Sequence, residues 1–384
     1  MPSMTAKLYS VTFKYHYKQL LATLSTQANS KTSSTFGITT RATQATAKPD
    51  PSFTDGVATK DLHIDPSSSL SVRIFLPEAA LSSTPARESA YGGYSPPELA
   101  GRKLPVVLQF HGGGFVSGSN ESVENDVFCR RIAKLCDAVV VAVGYRLAPE
   151  TKYLGAFEDG FKVLSWMSKQ FNLAACWRED DRGRIFDSFG ASMVEPWLAS
   201  HGDPSRFVLL GASSGANIAN YVAQRAIDCG TLIEPVKIVA LVLMYPFFLG
   251  TNPTRSEVKL AHSYMYDKAM CTLTWKLVLP DGEFDLDHPA ANPLAPGRRL
   301  PLKQMPPTLT VVAEHDPMRD RAIAYSVELR KVNVDAPVLE YKDSVHDFAT
   351  LGPLIHTRHA QVCAEDMAIW VKKYISLRGN EFSY

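Results

Sequence analysis

The sequence predicts an α/β fold with a mostly parallel sheet flanked by helices. Three observations carry this: apolar runs of strand length recur along the chain, helix-like stretches separate them, and glycine-rich or polar turns follow them. The runs are Leu104–Phe110, Phe207–Leu210, Ile238–Phe248, Pro307–Ala313 and Pro337–Tyr341. They are apolar nearly throughout, as buried strands are. A length of 384 residues suits one large domain with insertions and supports a substantial core.

The first run ends in His111-Gly112-Gly113-Gly114-Phe115 and the second in Gly211-Ala212-Ser213-Ser214-Gly215, each followed by helix-like sequence. A Gly-x-Ser-x-Gly arises by chance in roughly one chain in ten of this length, and a His-Gly-Gly-Gly in only a few per thousand. Together, in this order and each between strand and helix, they read as an oxyanion hole and a nucleophile elbow. An elbow pushes its serine hydroxyl out of the sheet through a strained turn, so the flanking residues must be small. Gly211, Gly215 and Ala216 meet that demand. The N–H of Ser214, at the start of a helix expected over Ala216–Ile227, is one oxyanion donor. Gly112 and Gly113, with Gly114 nearby, are expected to supply the others, because peptide N–H groups approach a ligand closely only where no Cβ intervenes. His111 is expected to orient this loop by hydrogen bonds rather than to carry protons.

A serine hydroxyl is a weak nucleophile at neutral pH, so Ser213 needs a histidine base and a carboxylate that fixes the histidine tautomer. The strand Pro307–Ala313 runs into Glu314-His315-Asp316-Pro317-Met318-Arg319-Asp320, which places Asp316 just past a strand end. A helix expected over Arg319–Val332 and the strand Pro337–Tyr341 follow, and His346 takes the equivalent place after that strand. One strand-helix unit separates the two, so adjacent loops can bring them together. Glu314 lies closer to the strand, His315 should be directed away from its neighbour, and Asp320 falls in the first turn of the helix, where it stabilises the N-terminus. His356 and His359 have the spacing of a metal pair on a helix but lack a nearby carboxylate cluster, and read as a solvated face. No metal or organic cofactor is expected.

With these residues in hand, the chain resembles the plant carboxylesterases of the hormone-sensitive-lipase-like branch of the α/β-hydrolases, the branch that also holds the gibberellin receptors. The resemblance runs through Phe53–Asp61, Leu70–Pro77, His111–Phe115, Tyr145–Glu150, Asp203–Arg206 with the elbow, Asp316–Asp320 and His346–Phe348, and covers nearly everything from Asp50 onward. It implies an α/β-hydrolase fold and a serine hydrolase acting on carboxylic esters, with Ser213, Asp316 and His346 as triad. Two positions depart from the family pattern: Ala212, where an acidic residue is common, and Ala216, where a second glycine is. The receptor members lack the triad histidine. His346 therefore favours an enzyme acting on small, fairly apolar esters over the alternative, a hormone-like receptor on the same fold.

A net charge of +1 gives no electrostatic case for nucleic acid or an anionic membrane. No apolar stretch reaches membrane-spanning length. Six scattered cysteines without framework spacing suggest reduced thiols and a cytoplasmic setting, as a monomer or homodimer.

Residues 1–49 hold no Asp or Glu. This permits an organelle transit peptide. The favoured reading is a short helix over the active site, with faces Leu8, Val11, Tyr15 and Phe13, Tyr17, Leu20, Leu24, followed by a flexible linker. Recruitment of a partner or membrane surface by this basic helix is a third possibility. Residues 50–384 then form the catalytic domain, with flexible insertions at 78–102 and 178–184. A cap insertion is expected over 249–300, where Tyr264, Tyr266, Trp275 and Phe284 either line a pocket or form the cap's own core.

Overall fold

The computed structural model describes residues 1–29, 41, 44–65, 67–81, 87–88, 94–95, 102–180, 194–295 and 301–379. Ten strands are described: β1 (Val57–Asp65), β2 (Leu70–Pro77), β3 (Arg87–Glu88), β4 (Tyr94–Ser95), β5 (Leu104–Phe110), β6 (Val139–Gly144), β7 (Gly202–Ala212), β8 (Ile238–Met244), β9 (Thr308–Ala313) and β10 (Val338–Tyr341). Eight of them form one sheet in the order β1-β2-β6-β5-β7-β8-β9-β10. β1, β2 and β6 pair antiparallel at one side, and all pairs from β6 to β10 are parallel. The fold is an α/β-hydrolase fold. β5 and β9, β7 from Phe207 onward and β8 after Ile238 are buried, which is why these stretches are largely apolar on both faces.

The described helices are α1 (Met4–Asn29), α2 (Val123–Cys136), α3 (Gly155–Asp180), α4 (Pro196–His201), α5 (Ser214–Cys229), α6 (Arg255–Lys259), α7 (Lys268–Val278), α8 (Arg319–Lys331) and α9 (Arg358–Gly379). α2 shows how the sequence starts and stops one. Ser122 accepts from the Asn125 N–H at its N-cap, and Asp137 closes it in the left-handed region at φ 48°. Register then fixes the site. Phe110 of β5 lies opposite Gly211 of β7, which lies opposite Leu243 of β8, so the glycine loop and the elbow leave the sheet at one edge. Ala313 pairs with Tyr341, which brings the loops after β9 and β10 out side by side.

Several elements differ from their sequence outlines. β7 begins five residues before Phe207, at Gly202, because it pairs along the whole of β5. β8 stops at Met244, short of Phe248, because Tyr245 takes a positive φ of 35° and leaves the strand conformation. α5 starts at Ser214, directly after Ser213, rather than at Ala216. The N-terminal helix is long rather than short, at 26 residues. The charge run 178–184 enters the structure as the last turn of α3, and its part from 181 onward lies outside the described residues. Of the insertion 78–102, Glu78–Ala80 form a 3₁₀ turn and β3 pairs with β4; residues 82–86, 89–93 and 96–101 lie outside the described residues, as do 30–40 and 42–43 of the N-terminal linker and 296–300 of the cap segment.

Candidate active site

Ser213 sits between β7 and α5 with φ 52° and ψ −120°, a conformation that L-residues rarely adopt. The chain turns so tightly there that a Cβ on Gly211 would run into the Gly215 carbonyl, and one on Gly215 into the Phe110 carbonyl. Glycine at both positions is what lets β7 pass into α5 beside β5. Ala216, where the family pattern has a second glycine, is fully buried.

Ser213 Oγ lies 2.8 Å from His346 Nε2, and His346 Nδ1 lies 2.7 Å from Asp316 Oδ2. Asp316 is held in turn by the Met318 N–H, which donates to Oδ1 at 2.9 Å. All three side chains are buried, with Ser213 and His346 at 0% exposure. Burial opposes a charged imidazole, but the negative charges of Asp316 and Asp347 outweigh it and raise the His346 pKa above its ordinary value. Among the described residues nothing accepts from the N–H groups of Gly113, Gly114 or Ser214. The last is one of the orphan donors at the start of α5. The glycine loop lies directly against the elbow: a Cβ on Gly112 would stand 3.2 Å from Ser213 Cβ. Gly113 has φ 113° and no room for a Cβ beside the Ser117 carbonyl.

The other candidates fall elsewhere. His111 is buried and stacks on Tyr145 at 4.2 Å; its Nδ1 lies 2.8 Å from the Gly112 carbonyl, and burial pushes its pKa down to about 4. It orients the loop as a neutral ring. Glu314 Oε2 accepts from the Asp343 N–H, His315 meets Tyr264 edge-on, and Asp320 accepts from the Ser256 N–H at the start of α6. His356 ends a 3₁₀ turn and His359 lies in α9, both exposed, so they do not share a helix.

Asp347, Tyr266, Phe13 and Tyr17 complete the surroundings. Asp347 is buried, with φ 60° and Oδ2 3.8 Å from His346 Nε2, so the imidazole is flanked by carboxylates at both nitrogens. Burial, with added repulsion from Asp316, pushes the Asp347 pKa up, although His346 pulls it the other way. Tyr266 meets the His346 ring edge-on at 4.8 Å, and Phe13 of α1 packs on Tyr266 at 5.1 Å. Tyr17 of α1 reaches Gly114 so closely that a Cβ there would strike its hydroxyl, and that hydroxyl lies 3.2 Å from Thr274 Oγ1 on α7. Asp347 appeared in the sequence only inside the His346–Phe348 stretch of the resemblance, with no role attached to it. Of the other cap aromatics, Trp275 is buried between Phe115 and Phe247, Tyr264 faces His315, and Phe284 lies half-exposed under Lys276. Gly112, Gly113, Ala212, Tyr266, Asp347 and Thr350 help to line a cavity of about 100 Å³.

A serine, a histidine and a carboxylate at the strand ends of a parallel sheet suit an α/β hydrolase, and the comparisons place the chain in that class. Residues 107–350 match the family model described as alpha/beta hydrolase fold, and residues 39–151 match that of the carboxylesterase family. The chain is 58% identical to probable carboxylesterase 16 of Arabidopsis thaliana and 56% identical to probable carboxylesterase 11, over 100% of both chains in each case. A gibberellin receptor of the same plant is 34% identical over 77% of this chain and 73% of its own. In fold, the chain superposes on a hyperthermophilic esterase from the archaeon Pyrobaculum calidifontis with a TM-score of 0.63 at 23% identity, covering 97% of this chain and 99% of that one. The chain belongs to the plant carboxylesterases of the hormone-sensitive-lipase-like branch.

Proposed function

We propose that this protein hydrolyses carboxylic esters through an acyl-enzyme on Ser213. The observation that carries the reading is the unbroken chain from Ser213 Oγ to His346 at 2.8 Å and from His346 to Asp316 at 2.7 Å. Ser213 attacks the ester carbonyl as His346 Nε2 takes its proton, and Asp316 stabilises the imidazolium without itself accepting the proton. The N–H groups of Gly112, Gly113, Gly114 and Ser214 receive the developing oxyanion, each donor contributing about 3 kcal/mol to lowering the barrier. His346 then protonates the leaving alcohol, and water repeats the attack on the acyl-enzyme.

Substrates in this reading are small. The cavity of about 100 Å³ is below the roughly 300–1,000 Å³ of ordinary ligand pockets. Phe13, Ala212 and Leu351 give it apolar wall, which suits a small, fairly apolar ester. The presence of His346 argues against a receptor. The reading keeps α1 and the segment 249–300 as the cap over a catalytic domain that begins near residue 50. Hydrolysis of short-chain p-nitrophenyl esters tests it: turnover is expected from the wild type and none above background from Ser213→Ala. Tight binding of a small acid with no turnover would overturn it.

A further inference from the structure

The helix that covers the site has two apolar faces, and only one is used. Tyr17, Leu21 and Leu24 are buried on the inner face. On the outer face Met4, Leu8, Val11 and Tyr15 are 69%, 64%, 69% and 60% exposed. Their spacing of four, three and four residues sets them in one stripe along α1. Val258 of α6, 64% exposed, stands across the groove that Val11 also lines, so the apolar surface continues from α1 onto the cap segment. A continuous exposed patch of this kind marks an interaction site rather than ordinary surface.

Charge decides what fits it. α1 carries no Asp or Glu, while Lys7, Lys14 and Lys18 follow one another along a single flank of the stripe. Lys259 lines the same groove as Lys7 and Lys14. Asp267 faces Lys18 at 3.0 Å and Lys14 at 4.0 Å, and Asp343 pairs with the terminal amine. Lys7 and Lys259 have no carboxylate partner among the described residues. An apolar helical stripe with lysines beside it and a tyrosine at its edge is the pattern of helices that lie in a lipid interface. We infer that the outer face of α1, together with Val258, seats on an anionic lipid surface, with Lys7 and Lys259 meeting the headgroups. Inner and outer faces belong to the same helix. The element whose Phe13 and Tyr17 close over the fully buried Ser213 is then the element that reads the membrane.

Flotation of the full chain with phosphatidylcholine vesicles, with and without phosphatidylserine, tests this. Binding about tenfold tighter with phosphatidylserine is expected, falling as salt rises. The triple variant Leu8→Gln, Val11→Gln, Tyr15→Gln alters only exposed side chains, and should lose at least about tenfold in vesicle binding while hydrolysing a soluble ester as the wild type does. Lys7→Gln with Lys259→Gln should remove the preference for phosphatidylserine and leave the weak binding to phosphatidylcholine. Failure of the folded wild type to float with either vesicle overturns the inference. So does a wild type that is dimeric in light scattering and becomes monomeric in the triple variant without ever binding vesicles, because the face is then a contact between copies. Neither result touches the esterase reading, which soluble-ester turnover tests separately.

Discussion

The floor and the roof of the candidate site are built by different means. The floor is backbone: Gly112–Gly114, Ser213, Asp316 and His346 all stand within a few residues of a strand end, and strand register holds those ends together. The roof is side chain: Phe13 on Tyr266, Tyr266 on His346, and the Tyr17 hydroxyl against Gly114 and Thr274. A floor fixed by main-chain hydrogen bonds holds side chains in place closely, as the proposed acyl transfer would require. A roof held by aromatic packing can be strong yet separable, because it crosses between α1 and the sheet without sharing a ladder. The lesson is that changes to the floor should alter the chemical step, and changes to the roof should alter stability and access.

The largest effect belongs to the floor. Asp316→Asn leaves the shape intact but removes the charge that fixes the His346 tautomer, and kcat is expected to fall about 10⁴-fold in steady-state ester hydrolysis. A loss below tenfold would mean that Asp316 is not the partner of the base. Next, Gly113→Ala forces a Cβ against the Ser117 carbonyl at a φ of 113°, so the donor loop must shift. A loss of about 10²–10³ in kcat is expected, together with a fall in melting temperature from the strained loop. Were KM to change instead, the loop would belong to binding rather than to the oxyanion.

The roof should respond differently. Tyr17→Ala empties a buried site between Gly114 and Thr274 and is expected to cost about 3 kcal/mol in chemical denaturation. Its kcat on a small soluble ester should stay within about tenfold of wild type. A collapse of kcat in a folded protein would break the distinction between floor and roof.

The smallest effect sharpens it at the seam. Asp347 faces His346 and Asp316 from the loops after β10 and β9, Tyr266 from the cap segment, Tyr9 and Tyr17 from α1, Tyr145 after β6, Tyr245 after β8, and Thr350. His346 must be neutral to take a proton. Its pKa is raised, against burial, by Asp316 and Asp347, so turnover is lost as pH falls through a value above the usual 6.5. Asp347→Asn removes one of the two raising charges, so the acid limb of kcat/KM should move toward lower pH, with the plateau little changed. An unmoved limb would show that the 3.8 Å contact carries no electrostatic weight.

This division also explains what was legible in the sequence. Strand ends can be counted from apolar runs, so the Gly-x-Ser-x-Gly motif pointed to Ser213, strand-end position pointed to Asp316 and His346 as its expected partners, and the glycine run announced the need for close backbone approach. Boundaries slipped where pairing overrode local pattern: β7 reaches back to Gly202 because β5 offers it partners. The roof was less legible. Two apolar faces on residues 8–24 were visible, but which one packs depends on Tyr266 and Thr274, more than two hundred residues away. Asp347 had no spacing or periodicity to mark it, because its importance lies in a distance to the imidazole that only the turn at φ 60° creates.

The central claim is that Ser213 is the acyl-carrying nucleophile. Treatment of the wild type with a fluorophosphonate, followed by proteolysis and mass spectrometry, tests it most directly. One adduct on the peptide carrying Ser213 is expected, absent in Ser213→Ala and slowed in Asp316→Asn. An adduct on another residue, or none in a folded and ester-cleaving sample, would contradict it.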